Sequence, residues 1–375
     1  IVIHLLALFF ACMICHGELA RLKPESRSLT SYYLCIAFGG ALGGFFVSII
    51  APLIFKSFGE LSLAFFLTGL FALIFLFREG TKKRGYAAAF FLVFVLLESM
   101  ALLWFPSNDG EMRTIETSRS FYGILNVREK DWSTPEDHRL HLGHGTILHG
   151  VQYVAEEKKK EPSSYYIEES GIGLVMEHLR ISSGRHVGVV GLGIGTVSAY
   201  SKENDVFRFY EIHPEVIRMA KQYFTYLADL PNPYEIIPGD ARLSLESEEP
   251  QKFDVLILDA FSGDAIPVHL LTKEAFELYL THMNEGGIIV VHITNKHLDL
   301  YPVMERISEL FDLESAEVSV TKEEFNTLHA SDWVLLSRSK IPAGILAESH
   351  VTLPAGDPQI RLWTDDYSSI FEVLK

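Results

Sequence analysis

The chain has 375 residues, 48 Asp and Glu against 32 Lys and Arg for a net charge of −16, and a mean hydropathy of +0.19. That length holds two or three domains, and a chain both acidic and apolar on average divides into unlike parts. The acidity disfavours nucleic acid as a partner, because phosphate binding needs a basic face; the three cysteines, Cys12, Cys15 and Cys35, leave the later chain neither a disulfide framework nor a cysteine-based zinc site.

Four apolar runs come first, at 1–15, 29–55, 61–77 and 86–105. A spanning helix needs about 20 apolar residues, with ~17 the lower limit. Three of the runs reach that length, so residues 1–105 read as transmembrane helices of a multi-pass membrane protein. The first run starts at Ile1 without an initiator Met and reads as part of a longer membrane domain. Gly39-Gly40-Ala41-Leu42-Gly43-Gly44 carries two overlapping small-xxx-small patterns that let helices approach closely in lipid. Glu98 lies inside the fourth run, where a carboxylate either sits protonated or at an interface, or faces a cavity. Arg21, Lys23 and Arg27 in the first loop and Arg78, Lys82, Lys83 and Arg84 in the third place those loops in the cytoplasm, which with four spans would put the following domain outside.

The charge divides sharply at Phe105. Residues 1–105 carry 8 basic against 5 acidic side chains, and residues 106–375 carry 24 against 43. Residues 106–120 read as a polar linker. Alternating segments at Phe121–Arg128, His138–Leu142 and Thr146–Val154 then predict a small antiparallel sheet within 121–160. The Lys-rich stretch Ala155–Ser164 reads as a solvated loop. His144 and His149 stand five apart on this sheet and read as structural, since no third metal ligand is evident.

Residues 161–375 change pattern to strands alternating with helices, an α/β domain. Strands are expected at Val187–Val190, Phe207–Glu211, Tyr234–Ile237, Asp254–Asp259 and Ile288–Ile293, with helices at Pro214–Tyr226 and Thr272–Met283. Near-continuous apolar strands in such an alternation indicate a parallel sheet covered on both faces. Ala316–Val320 and Trp333–Ser337 are candidates for an antiparallel edge.

The chemistry concentrates at the strand ends. The first strand runs into Gly191-Leu192-Gly193-Ile194-Gly195, where backbone can approach a ligand closely. Glu211 ends the next strand, placed to accept from ribose hydroxyls, and Gly239-Asp240-Ala241 follows the third, suited to a purine. The spacing is GxGxG rather than the GxGxxG of a pyrophosphate site, which favours a nucleoside without a diphosphate, an S-adenosyl-type sulfonium. Asp259 closes the fourth strand and Asp264 follows on the same loop. Two carboxylates beside a sulfonium suit a cationic amine as second substrate, one taking a proton and the other holding charge.

Residues 121–300 resemble the spermidine synthase (aminopropyltransferase) family in the order of the Gly-rich turn, Glu211, Gly239-Asp240-Ala241 and the stretch from Asp259 to Tyr279. The CHGELARLKP loop, the HGTILHGVQY segment and the terminal WTDDYSSIF make the whole chain similar to the membrane-fused spermidine synthase-like branch. The resemblance implies a small N-terminal antiparallel β-sheet followed, over 161–375, by a Rossmann-like domain of the methyltransferase type, and aminopropyl transfer from decarboxylated S-adenosylmethionine to a diamine or polyamine, with methylthioadenosine released. It makes Asp259 the general base. His149-Gly150-Val151-Gln152 resembles the family's Asp-Gly-x-Gln, which implies that Gln152 contacts the donor. Tyr165 and Tyr166, with Glu168, stand where the family has a Tyr-His-Glu segment near the amine. The family's Asp-Ser/Thr-x-Asp-Pro is replaced by Asp259-Ala260-Phe261-Ser262-Gly263-Asp264, with the second acid displaced by two positions.

No prosthetic group is expected, only decarboxylated S-adenosylmethionine, or S-adenosylmethionine itself, as co-substrate. The alternatives are a methyltransferase, which must accommodate the donor carboxylate, and a non-catalytic polyamine- or nucleoside-binding domain that regulates a membrane transporter. The donors are cytosolic, so an active domain is expected in the cytoplasm, against the loop charges; a homodimer is a possible assembly.

Overall fold

The computed structural model describes residues 2–79, 112–145, 147–179, 184–260, 267–321, 330–353 and 360–375. Glu98 and Asp264 lie outside them. The chain divides into two compact units, one made of Ile1–Met112 with Thr117–Ile124 and the other of Arg113–Glu116 with Leu125–Lys375.

The first unit holds helices α1 (Val2–Arg21), α2 (Ser26–Ile54) and α3 (Gly59–Glu79). Among the described residues α2 is the one helix long and apolar enough to cross a membrane, with a mean hydropathy of 2.2 over its best window. Of the several spans expected, this is the one that qualifies among the described residues. Gly59–Ala72 in α3 is a shorter apolar stretch among the described residues, and the 86–105 run lies outside them. A π-turn at Phe46–Ile50 interrupts α2 just before Pro52. Proline lacks the amide hydrogen and its ring crowds the carbonyl four residues back, so the hydrogen bonds there widen. No described atom comes within 4 Å of where a Cβ would stand on Gly39, Gly40, Gly43 or Gly44.

The smaller sheet is antiparallel, with β1 (Met112–Ser120), β2 (Gly123–Lys130), β3 (Arg139–His144) and β4 (Ile147–Tyr153) in sequential order. Strand β1 occupies what reads as linker in the sequence. Its run MRTIETSRS is polar on both faces and lacks the alternation by which a half-buried strand announces itself.

The large sheet comprises β5 (His186–Val190), β6 (Val206–Glu211), β7 (Tyr234–Pro238), β8 (Phe253–Leu258), β9 (Met283–His292), β10 (Glu314–Val320), β11 (Ser331–Ser337) and β12 (Val351–Thr352), in the order β12-β10-β11-β9-β8-β5-β6-β7. Strands β5 to β9 are parallel, and β11, β10 and β12 close one side antiparallel. The fold is therefore the expected spermidine synthase- or methyltransferase-like α/β type with a mixed sheet. Alternate residues feed two cores, Val187, Val189, Phe207, Phe209, Val255 and Ile257 on one face, Val190, Tyr210, Leu256 and Leu258 on the other. Gly188 makes room for the Phe253 ring, which would lie 2.8 Å from an added Cβ.

Helices α4 (Gly171–His178), α5 (Pro214–Tyr223), α6 (Ala241–Ser247), α7 (Lys273–Thr281) and α8 (Tyr301–Phe311) cover the faces. Their starts follow capping chemistry. Ser170, Asp240 and Thr272 each accept from a backbone N–H of the first turn, and α5 opens on Pro214 with the His213 ring accepting from Glu215 N at 3.2 Å. In α5, Val216, Met219 and Ala220 recur at helical spacing and are the buried face.

One buried ion pair ties three elements together. Arg185, 1% exposed, holds Asp205, 0% exposed, through Nε at 3.1 Å, and donates to the Met176 and Tyr200 carbonyls at 2.8 Å each. Removing one partner strands the other charge in the core. Asp205→Ala is expected to lower the unfolding free energy of this unit by about 3–5 kcal/mol, measured by denaturant titration; a loss under about 1 kcal/mol would contradict this role.

Three imidazoles are buried neutral. Burial, with neighbouring cations, pulls His141 down to about 4; burial and the His144 ring do the same to His149 and His213, both to about 4, against an ordinary 6.5. The unfolded chain therefore binds more protons than the folded one between those values, so stability rises with pH there. The melting temperature is expected to be flat above about pH 7 and to fall as pH drops from 6.5 towards 4, and His149→Gln should shallow that fall. A slope unchanged in the variant would contradict the assignment.

Candidate active site

Strand order reverses around β5. Its parallel neighbours are β8 on one side and β6 on the other, so chain connections leave in opposite directions and open a crevice at the carboxyl ends of β5 and β8. The Gly-rich turn and Asp259 meet there. Asp259 N donates to the Val190 carbonyl at 2.9 Å, and a Cβ on Gly191, whose φ is 95°, would lie 2.2 Å from the Asp259 carbonyl oxygen. Only glycine fits that position. Gly193 and Gly195 also hold positive φ; a Cβ on Gly193 would meet the His149 carbonyl oxygen at 2.8 Å, which seats the turn against β4.

Glu211 lies at the end of β6, 8% exposed, and its two oxygens accept from Leu192 N at 2.9 Å and His213 N at 2.8 Å. Burial raises its carboxyl above the ordinary value, with the backbone donors opposing. The carboxylate thus shapes the glycine turn directly. Asp240 Oδ1 caps α6 by accepting from Leu243 N at 3.0 Å, and Oδ2 stands 3.0 Å from His269 Nε2. Ala241 is buried as the first residue of α6.

Gln152 is placed differently from a ligand contact. It is 3% exposed, donates to Lys159 O at 2.8 Å and Thr225 Oγ1 at 2.9 Å, and accepts from Thr225 N at 2.9 Å. Both amide hydrogens are used, and the side chain staples β4 to two loops.

Around Asp259 the side chains pack as a shell. Tyr166 OH donates to Oδ2, and His292 Nδ1 lies 2.7 Å from Oδ1; the Asp259 and His292 side chains are 5% and 8% exposed. Burial, then the Asp259 charge, raises both Tyr165 and Tyr166 well above the ordinary phenol value, so both stay protonated donors. Tyr165 stacks on His292 with ring centres 4.9 Å apart, and His292 stacks on Trp333 at 4.3 Å. A cavity of about 240 Å³ opens beside this shell, lined among others by His149, Tyr165, Asp259, His292, Thr294 and Lys296.

The structure thus unites Asp259, Tyr165, Tyr166 and the Gly191–Gly195 turn, with Glu211 behind the turn. Sequence reasoning places His292 within a strand without a role and passes over Thr294 and Trp333. The available signal was a lone imidazole at a strand carboxyl end, where such sheets put ligands. Among the described residues no group of three or more His, Cys, Asp or Glu is arranged to hold a metal.

No family model matches the chain. It is 30% identical over 142 residues to a polyamine aminopropyltransferase of Vibrio vulnificus, covering 36% of this chain and 43% of that protein. It is 27% identical over 152 residues to a probable polyamine aminopropyl transferase of Bifidobacterium longum, covering 39% and 31%. The chain therefore spans less than half the length of these curated relatives. A probable spermidine synthase structure from Corynebacterium glutamicum superposes with a TM-score of 0.46 at 18% identity, over 60% of this chain and 79% of that one. Proteins named as methyltransferases also match. Over the matched stretches, then, the chain is similar to polyamine aminopropyltransferases, in line with its motif order.

Proposed function

We propose that the second unit transfers an aminopropyl group from decarboxylated S-adenosylmethionine to a diamine or polyamine. The observation that carries this reading is Asp259, a buried carboxylate at the switch point, packed against the glycine turn, held between Tyr166 and His292 and lining a cavity. In the reaction an ammonium substrate gives one proton to Asp259. The freed nitrogen lone pair forms a bond to the aminopropyl carbon next to sulfur, the C–S bond breaks with its electrons left on sulfur, and neutral methylthioadenosine leaves. Positioning of the two substrates supplies much of the rate.

Gly191, Gly193 and Gly195 receive the donor, Glu211 takes its ribose, and Asp240 and Ala241 border its purine. Tyr165 offers an aromatic face to the amine. Gln152 acts on the donor through the loops that it fastens, and Asp264 is assigned to the amine from the sequence. We place this unit in the cytoplasm, where the donor is made, with α2 as membrane anchor.

A second reading, methyl transfer from S-adenosylmethionine, has one feature in its favour. Lys296 lines the same cavity, and an ammonium there suits the donor carboxylate that decarboxylation removes.

Asp259→Asn is expected to lower methylthioadenosine release by roughly 10²- to 10⁴-fold, the range for loss of a general base, followed by chromatography of the nucleoside product. Gly191→Ala is expected to abolish donor binding in calorimetry, since its Cβ collides with the Asp259 backbone. A wild-type chain that binds donor and amine but forms no methylthioadenosine would overturn the reading.

A further inference from the structure

We propose that His292 is the positioning residue of the Asp259 base, fixing the carboxylate through a directed chain of hydrogen bonds that begins at the Asp332 amide and passes through Thr294. The proposal rests on the aminopropyl-transfer reading above and adds to it a residue that acts through Asp259.

The direction follows from counting protons. Asp332 N donates to Thr294 Oγ1 at 2.8 Å, so the hydroxyl oxygen is already an acceptor. Its single hydrogen has two acceptors in range, His292 Nε2 at 2.6 Å and the Asp332 carbonyl at 3.4 Å. The nearer one wins, because a hydrogen bond weakens steeply with length. With Nε2 accepting, the neutral ring carries its proton on Nδ1, which donates to Asp259 Oδ1 at 2.7 Å. The other tautomer would set the Nδ1 lone pair against a carboxylate oxygen at that distance, a repulsive contact.

The ring has little freedom to leave this geometry. His292 pairs with Trp333 across the β9–β11 ladder and stacks on its indole at 4.3 Å and 16°, and the Tyr165 ring packs against both, 4.9 Å from His292 and 6.3 Å from Trp333. Asp259 is then tied on both oxygens, by His292 at Oδ1 and Tyr166 at Oδ2. The Tyr165 hydroxyl is a further hydrogen-bond partner of this carboxylate, which lines the cavity. Thr294 serves as the selector of the tautomer.

Two substitutions separate this role from packing. His292→Phe keeps a flat ring in the stack and removes both nitrogens; His292→Asn loses the ring but keeps an N–H donor near the Nδ1 position. The proposal expects His292→Phe to lower kcat by roughly 10- to 100-fold with KM for the amine little changed, the loss appropriate to one hydrogen bond to a charged group. His292→Asn should recover most of it. Thr294→Val should lower kcat in the wild-type background and have no further effect in His292→Phe. Near-wild-type turnover by His292→Phe with a damaged His292→Asn would mean a packing role and overturn the proposal.

A second measurement does not depend on turnover. In ¹⁵N-histidine NMR of the full chain, the signals lost in His292→Phe should report a ring protonated at Nδ1, and Asp259→Asn and Thr294→Val should each move them. An Nε2-protonated ring overturns the proposal. A wild-type chain with no methylthioadenosine product refutes the aminopropyl-transfer reading alone, and the NMR comparison then decides the His292 assignment.

Discussion

The hydrogen bond from the Asp259 amide to the Val190 carbonyl, 2.9 Å long, fixes how close the acid stands to the glycine turn. It is the last rung between β5 and β8, and beyond it the two chains part to leave the crevice. The missing Cβ of Gly191 lets them come that close. Every other placement in the site refers to this rung: Glu211 braces the turn from the β6 side, and Tyr166 and His292 brace the acid from the other.

The surroundings of that rung carry few free charges and many oriented donors. His149 and His213 are held neutral by burial and by the nearby His144 ring, Tyr165 and Tyr166 stay protonated, and Glu211 spends both oxygens on backbone amides. A buried carboxylate needs such donors, since leaving it unpaired costs several kcal/mol. The same enclosure suits a reaction in which a positive charge moves from sulfur to nitrogen while one proton departs. The acidity of residues 106–375, 43 acidic against 24 basic side chains, adds only steering of cationic substrates.

Much of this arrangement is legible in the sequence because it follows short-range rules. Buried parallel strands appear as apolar runs such as VLIL and IIVV, and the glycines mark the turn where backbone crowds backbone. Asp259 is identifiable because it is the first polar residue after such a run. What escapes has partners far along the chain. Gln152 is engaged with Thr225, 73 residues away, so its amide reads as a ligand contact until the fold closes around it. His292 gains its role from Asp259 and Trp333, 33 and 41 residues distant, and β1 is polar along its length. Of the apolar runs near the N-terminus, hydropathy suggests several spans; α2 is the one above the threshold among the described residues, and the 86–105 run lies outside them.

The central claim is that Asp259 and the glycine turn bring an amine to the aminopropyl carbon of a sulfonium donor. The direct measurement is product analysis with decarboxylated and ordinary S-adenosylmethionine offered in parallel against a series of di- and polyamines. The account predicts methylthioadenosine and an extended polyamine from the decarboxylated donor, and no turnover of the ordinary one. S-adenosylhomocysteine and a methylated amine from ordinary S-adenosylmethionine, with no methylthioadenosine from the other donor, would contradict it.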